Sequence, residues 1–292
     1  LRLDNYYMVA KEGRRTTAED FLTFCKKMDL PYKEEWPKEL DISRDKIALS
    51  VKVPEPIFDV NRKRVFLYKK LAELPNITLL KGTDVTGLKR VGDGFEISYG
   101  SAGAKSVTCC VAVVNATYGG MNYINHHLGL PLKDFQYELC EIPVVSAPWN
   151  GSAWMIIDGP FFSVMPFGFS KDYLFYDVEL SVLECVIGKF PEFKKGIAHY
   201  DDPKRKAARF KRYHVKWKPW VSGIDDAKQL YSMYVTRAVL PRREKTDERP
   251  TIIDRPLSGF WQIFSGKIVT SVSSTIELAA QVDDFLKDKN KT

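Results

Sequence analysis

Residues 109–120 read CCVAVVNATYGG, a continuous apolar run that ends in a glycine turn. A strand that is apolar on both faces is typical of the centre of a parallel sheet. Tyr118, Gly119 and Gly120 then predict a turn into a short helix through Leu128. A strand, turn and helix in this order present backbone N–H groups at the carboxyl edge of a sheet, where nucleotides bind. An ordinary strand-to-helix turn has the same pattern, so both interpretations stay open.

The segments before this run alternate between helix and strand patterns. Residues 1–45 predict mixed helix and loop, with one amphipathic helix after Thr17, and alternation predicts a strand over 47–53. The next helix carries its apolar residues on one stripe, formed by Val60, Leu67, Leu71 and Leu74. One single strand and one hairpin are predicted after it, from the stretches 77–82, 85–91 and 94–100.

From Phe135 to about Leu240 the pattern changes to long alternating strands, which predicts an antiparallel sheet. Within this part, residues 189–218 hold eleven Lys or Arg against three acids, with aromatic residues between them. This excursion predicts a helix. If its aromatic residues were exposed, they would favour nucleic acid or another anionic polymer. We favour instead a solvated basic face whose aromatic residues dock on the sheet.

The last part of the chain returns to the first pattern. Strands are predicted over 259–264 and 267–272, and Ser274 with Glu277 predicts a capping box at the start of the final helix. Gly266 marks a second glycine turn, and the positive end of the following helix could stabilise a negative charge on a ligand. Together the segments predict an α/β layer built from discontinuous pieces, with an antiparallel domain inserted in it (α+β).

Composition excludes several classes of protein. The 292 residues are 45% hydrophobic, enough for a large core, and no apolar run approaches the roughly 18 to 20 residues of a membrane span. A net charge of +7 is modest, which makes nucleic acid an unlikely partner. The five cysteines include no C-x-x-C, so we expect reduced thiols and a cytoplasmic protein. The four histidines lack metal-ligand spacing, and no metal site is predicted.

The order of these segments resembles the FAD-dependent oxidoreductases of the D-amino-acid oxidase superfamily. The resemblance rests on KVPEPIFDVNRKRVFLYKKLAELPNITLLKGTDVTGLKRVGDGFEIS, AVVNATYGG, DGPFFSVMPFG and RPTIID…GFWQIFSGKIVTSVSSTIELA, and it covers nearly the whole chain. It implies a helical and loop segment over 1–45, an FAD/NAD(P)-binding-like α/β layer over 46–130 and 255–292, and an antiparallel substrate domain over 131–254. The basic helical excursion would occupy 189–220.

The resemblance also implies a cofactor and a site. FAD would bind between the domains and accept a hydride at N5 from a small amine or hydroxy compound, the small-molecule partner. No catalytic residue is indicated. The implied FAD contacts fall on Val85 and on the two glycine turns. The first turn would contribute Ala116, Thr117 and Gly119, and the second Gly266, Lys267 and Ile268. Lys267 and the final helix would supply positive charge near the flavin.

Two departures from the family pattern qualify this interpretation. The family opens with a G-x-G-x-x-G turn for the FAD pyrophosphate, and this sequence contains none, so we expect the N-terminal βαβ unit to be lacking, by truncation or naturally. The family's substrate arginine precedes a proline, where this chain has Leu240 before Pro241. Arg237 is the nearest candidate for that role, although it is out of register. A cofactor-free binding or scaffold protein is the alternative, with 189–218 contacting an anionic polymer. The oligomeric state stays open.

Overall fold

A computed structural model describes residues 3–38, 41–101, 103–149, 151–157, 159–243, 248–264 and 266–291. Its strands are β1 (Asn5–Ala10), β2 (Lys33–Glu34), β3 (Ile47–Val53), β4 (Asp84–Val91), β5 (Gly94–Ser101), β6 (Ala104–Cys110), β7 (Val113–Asn115), β8 (Phe135–Ser146), β9 (Ala153–Ile157), β10 (Phe162–Pro166), β11 (Asp172–Asp177), β12 (Val182–Gly188), β13 (Lys228–Val239), β14 (Ile252–Leu257) and β15 (Phe260–Phe264). Its helices are α1 (Ala18–Lys27), α2 (Val60–Ala72), α3 (Met121–His127), α4 (Val178–Ser181), α5 (Ile197–Tyr200), α6 (Pro203–Trp217) and α7 (Ser271–Lys289). The mixed α/β architecture predicted from the sequence is confirmed.

The chain divides into two units, each formed by three segments. Unit 1 comprises Leu1–Ile77, Leu139–Leu183 and Lys194–Val235, and unit 2 comprises Thr78–Glu138, Glu184–Phe193 and Thr236–Thr292. Both units are therefore discontinuous in sequence. Which part would hold a cofactor and which a substrate stays a prediction.

A large mixed sheet has most of its strands in unit 1. Its strands follow the order β8-β11-β10-β9-β1-β3-β2, and both β12 and β13 pair with β8. Strand β1 runs antiparallel to β3 and parallel to β9, and β9, β10, β11 and β8 are antiparallel in turn. The long antiparallel strands expected after Phe135 are thereby confirmed.

Helix α6 supplies the other half of the unit 1 core. The helix begins at Pro203, with the Asp202 side chain accepting a hydrogen bond from the Arg205 N–H. Its aromatic face is buried in one cluster with the rings of β9, β10 and β11, and the cluster's largest members are Trp154, Phe162, Phe175, Phe210, Tyr213 and Trp217. The basic excursion is therefore helical and docks its aromatic residues, as predicted.

Unit 2 holds two smaller sheets and two helices. The first sheet has the order β14-β15-β7, with β15 and β7 parallel, and the second is the antiparallel meander β4-β5-β6. Helix α7 packs on the first sheet through Leu278 and Phe285, which contact Trp261. The predicted hairpin is confirmed as β4 and β5.

Two predictions for the first half of the chain are wrong. The segment 1–45 contains β1, whose Tyr6, Met8 and Val9 are all buried; a strand covered on both faces shows no alternation, which hid it in the sequence. The strand predicted over 77–82 is irregular backbone, and Leu79 and Leu80 are exposed. A strand pattern yields a strand only where another strand pairs with it.

Two further predictions fail in unit 2. The apolar run 109–114 is not one buried strand, because the chain leaves β6 at Cys110 and enters β7 at Val113; Val111 is exposed. The strand predicted over 267–272 is a 3₁₀ turn, Ile268–Thr270, that leads into α7. Because α7 begins at Ser271, Ser274 lies inside its first turn. The Ser274 Oγ donates to the Thr270 carbonyl, so the capping box with Glu277 does not form.

Candidate functional site

The turn that follows β7 is held by the last residue of that strand. Asn115 is 2% exposed, and its Oδ1 accepts hydrogen bonds from Thr117 N at 3.2 Å and Thr117 Oγ1 at 2.7 Å. Its Nδ2 donates to the Met121 carbonyl at 3.2 Å. An amide side chain that binds both ends of a turn fixes the backbone between them. The turn predicted from NATYGG is therefore present and rigidly bound to the strand end.

Tyr118 links this turn to the rest of unit 2. Its φ of 53° is left-handed, which costs a non-glycine residue on the order of 1 kcal/mol. The conformation is held by two contacts: the ring stacks on Phe264 with centroids 5.8 Å apart, and the hydroxyl accepts a hydrogen bond from Ala238 N at 3.1 Å. The sequence analysis missed Tyr118 as a site residue, although a bulky residue directly before two glycines was a signal.

Gly119 faces β13 across this turn. A Cβ placed on it would lie 3.9 Å from Ala238 Cβ and 4.0 Å from the Thr236 carbonyl oxygen, so there is room for an alanine. The predicted contacts Ala116 and Thr117 are exposed on the same turn. Three of the predicted cofactor residues therefore share one surface.

Gly266 requires glycine for a local reason. A Cβ there would fall 1.7 Å from the Arg249 carbonyl oxygen, so the two backbone segments can approach only without a side chain. Lys267 and Ile268 follow it and are exposed. This packing explains the glycine without a ligand, while Lys267 and Ile268 stand at the start of the turn into α7.

The N-terminus of α7 is rich in hydroxyl groups that bind helix carbonyls. The Ser273 and Ser274 Oγ atoms donate to the Thr270 carbonyl, and Thr275 Oγ1 donates to the Ser271 carbonyl. The Thr270 hydroxyl donates to the Lys267 carbonyl at 2.8 Å. Among the described residues, no side chain caps the first amides of this helix. The Ser271 N–H instead donates to the Ile268 carbonyl of the preceding 3₁₀ turn, so part of this helix end is already satisfied by backbone.

The first turn, the end of β13 and the second turn meet around one cavity of about 30 Å³ in unit 2. It is lined by residues from all three segments, namely Tyr118, Arg237, Ala238, Val239, Leu240, Glu248, Arg249, Phe264 and Gly266. This volume admits a water molecule rather than a substrate. Residues that are 120 to 150 positions apart in sequence thus form one site.

Arg237 belongs to this site but is engaged with a carboxylate. Its Nη2 donates to Glu138 Oε2 at 2.5 Å, and the Glu138 side chain is 10% exposed. Glu138 Oε1 also accepts a hydrogen bond from Gln136 Nε2 at 2.9 Å. A substrate carboxylate would have to compete with Glu138 for the guanidinium. The sequence analysis missed Glu138, since cross-strand pairing was needed to see it.

Val85 lies apart from these residues. It is the second residue of β4, is 43% exposed and is paired with Tyr99 of β5. It is not among the described residues that line the cavity. Of the predicted site residues, the structure therefore brings Gly266 and Arg237 together at the cavity, beside Tyr118 of the first turn. Ala116, Thr117, Gly119, Lys267 and Ile268 lie on the two turns without lining it, and Val85 lies in the meander sheet.

Tyr137 illustrates how burial limits the chemistry near the site. Its ring packs in the cluster that contains Met121, Ala238 and Phe264, and its hydroxyl donates to the Lys189 carbonyl at 3.0 Å. Burial raises the pKa of Tyr137 to about 12. This hydroxyl stays protonated at neutral pH and acts as a structural donor.

No three His, Cys, Asp or Glu side chains in the described ranges are placed to hold a metal, and no helix there could span a membrane.

Known structures share this fold, although no family model and no curated protein matches the sequence. The glycine oxidase from Geobacillus kaustophilus superposes with a TM-score of 0.62 at 15% identity, covering 92% of this chain and 67% of that one. The L-proline dehydrogenase from P. horikoshii superposes with a TM-score of 0.61 at 13% identity, covering 91% of this chain and 68% of that one. The L-alpha-glycerophosphate oxidase from Mycoplasma pneumoniae was solved with FAD bound. It superposes with a TM-score of 0.60 at 13% identity, covering 98% of this chain and 73% of that one.

These likenesses show the fold alone: the chain shares the fold of the glycine oxidase, the L-proline dehydrogenase and the L-alpha-glycerophosphate oxidase. The chain spans about two thirds of the glycine oxidase and proline dehydrogenase chains. Fold alone does not fix a reaction, so the activity must be argued from the site.

Proposed function

We propose that this protein is an FAD-dependent oxidoreductase that acts on a small amine or hydroxy compound. The observation that carries the proposal is the convergence of Tyr118, Arg237 and Gly266 on one cavity of unit 2. Two glycine turns and a candidate substrate arginine meet there, on a fold shared with FAD-containing enzymes. When bound, FAD supplies a hydride acceptor at N5.

The residues present fit the flavin end of this cofactor. Ala116, Thr117 and Gly119 offer an exposed backbone edge without a bulky side chain at Gly119. Lys267 and the positive end of the α7 dipole, which has no side-chain cap, place positive charge next to Ile268. Such charge would stabilise the electron-rich end of a flavin. These residues would orient the ring and hold its charge.

The described residues do not supply the pyrophosphate end. No G-x-G-x-x-G turn occurs in the sequence, and α3, the helix after the first turn, has only seven residues. Strand β7 pairs with β15, and no other described strand pairs with it. An open parallel edge of this kind normally receives another strand. The proposed cofactor therefore needs a further nucleotide-binding unit for tight binding.

We propose that the substrate lies against the rim of this water-sized cavity, whose residues favour an amine or hydroxy compound over an amino acid. Leu240 occupies a wall position, Tyr118 and Phe264 are aromatic, and Arg237 is paired with Glu138. A substrate carboxylate would gain little from a guanidinium that already binds a carboxylate. We propose that Arg237 contacts the substrate as a hydrogen-bond donor beside its ion pair.

A flavin titration of the purified protein tests this proposal. FAD and riboflavin are titrated separately, and binding is followed by quenching of flavin fluorescence. Because only the ring end is recognised, we expect the two dissociation constants to agree within about threefold, a difference below about 1 kcal/mol. Gly119→Leu fills the ring surface and should weaken both at least tenfold. Gly196→Leu is the matched control, since a Cβ at Gly196 meets open space.

The proposal fails if neither flavin binds at millimolar concentration while the protein remains folded. It also fails if Gly119→Leu and Gly196→Leu bind flavin equally well. The first result would favour the cofactor-free binding protein as the function of this fold, and the second would place the bound flavin away from Gly119.

A further inference from the structure

The outward face of α6 carries cations without matching acids. The helix contains seven Lys or Arg and no Asp or Glu. Its inward cations are neutralised by neighbouring elements: Lys206 by Asp201 at 2.8 Å, Arg209 by Glu141 at 2.6 Å, and Lys216 by Asp177 at 3.0 Å. The helix is thus divided into a charge-balanced inner side and an unbalanced outer side.

Three outward cations form this unbalanced face: Lys204, Lys211 and Arg212. All three are exposed, and none forms a salt bridge with any residue in the described part of the chain. Glu179 lies nearby, but Lys216 already binds it at 2.7 Å. Positions 204, 208, 211 and 215 fall on one stripe of a helix, so Lys204 and Lys211 flank Ala208 and the 69% exposed Val215.

We propose that this face of α6 binds the surface of an anionic lipid bilayer without inserting into it. The helix has 15 residues, and its outward cations from Lys204 to Arg212 lie along roughly 12 Å of it, which suits a plane of acidic headgroups. Insertion is excluded because the apolar face is occupied: Phe210, Tyr213 and Trp217 are at most 7% exposed. Attachment is therefore electrostatic, with Val215 touching the headgroup layer.

The same burial argues against nucleic acid as the partner. Single-stranded nucleic acid is bound by stacking bases on exposed aromatic rings between basic residues. The aromatic residues of α6 face the sheet and cannot stack on bases. This inference does not depend on flavin binding, so the two proposals stand or fall separately.

The test is co-sedimentation of the whole protein with vesicles. Vesicles of 30 mol% phosphatidylglycerol in phosphatidylcholine are compared with pure phosphatidylcholine, at low salt and at a few hundred millimolar. The variant K204E/K211E/R212E reverses the charge of the three outward cations on this face of α6. Each cation near an acidic surface is worth about fivefold in affinity, so we expect a loss of roughly 100-fold. Salt should weaken binding of the unaltered protein because it screens exposed charges.

The matched control is R64E/K69E/K70E on α2, which changes net charge by the same amount at exposed positions. We expect the affinity of this control for acidic vesicles to fall by less than about fivefold. Circular dichroism should show that both variants are folded. The proposal is overturned if acidic vesicles bind no better than neutral ones, or if both triple variants lose affinity equally. It is also overturned if a single-stranded oligonucleotide binds the α6 face more tightly than the vesicles do.

Discussion

Helices α2 and α6 are both basic, both belong to unit 1, and both begin with an aspartate N-cap, yet only one is covered. Helix α6 buries Phe210, Tyr213 and Trp217 against the sheet. All of α2 is described, and none of its residues is buried; Val60, Leu67 and Leu74 of its predicted stripe are 58%, 45% and 47% exposed. Apolar residues at helical spacing predict a helix, but they do not show that another element covers it.

The largest effect should come from the buried face of α6. Trp217 is fully buried, stacks on Phe162 with centroids 4.5 Å apart, and donates from Nε1 to Asp177 at 2.7 Å. Trp217→Ala should lower the free energy of unfolding by about 3–5 kcal/mol, because it opens a cavity and removes a donor from a buried carboxylate. Urea denaturation measures the loss. A change below 1 kcal/mol would mean that α6 is not docked as described.

Hydrogen exchange should separate the two helices next. The amides in the middle of α6 are protected by a buried face, whereas α2 can open without exposing buried apolar surface. We expect protection factors in α6 to exceed those in α2 by at least about 100-fold, equivalent to about 2.7 kcal/mol. Mass spectrometry of peptic fragments resolves both helices. Equal protection would show that α2 is covered in solution.

A pH dependence follows from Tyr213 on the buried face. Burial is the main cause that raises the pKa of Tyr213 above its usual range, and the carboxylates of Asp177 and Glu141 raise it further. Because the pKa of Tyr213 is higher in the folded than in the unfolded state, its neutral hydroxyl stabilises the fold fully below about pH 10. This stabilisation is lost as the pH rises above that value. We expect the free energy of unfolding to decrease with rising pH in the unaltered protein more than in Tyr213→Phe. The difference between the two slopes should reach up to about 1.4 kcal/mol per pH unit. Identical slopes in urea denaturation between pH 9 and 11 would refute this.

The smallest effect should come from the uncovered stripe of α2. Leu67→Ala removes apolar atoms that are already 45% exposed, so we expect a loss of no more than about 0.5 kcal/mol. The measurement is the same urea titration used for Trp217→Ala. A loss above 2 kcal/mol would instead place Leu67 in a packed interface.

The success of the sequence analysis follows the range of the interactions involved. Local features were predicted well: the amphipathic helix expected after Thr17 is α1, and the Thr17 side chain caps it. The turn after Asn115 and the antiparallel strands also followed from local pattern. Strand β1 was missed because its covering on both sides comes from distant segments, β3 and β9. The strand over 77–82 was wrong for the converse reason, since the pattern is present and no described strand pairs with it.

The site shows the same division. Ala116, Thr117, Gly119 and Lys267 were predicted from turns and from the resemblance, and the structure places them on two turns of unit 2. Glu138 could not be predicted, because its role depends on a cross-strand ion pair. Tyr118 was missed although the two glycines after it were a signal, because its contact with Phe264 depends on a distant segment. Val85 lies in β4 of the meander sheet, and its contact with FAD stays a prediction.

The visible absorption spectrum of the protein isolated intact from its own source tests the central claim most directly. If the fold serves a flavin-dependent oxidation, the protein is yellow as isolated, and small amine or hydroxy compounds added without oxygen bleach its spectrum. A colourless protein that stays colourless after incubation with FAD would contradict the proposal.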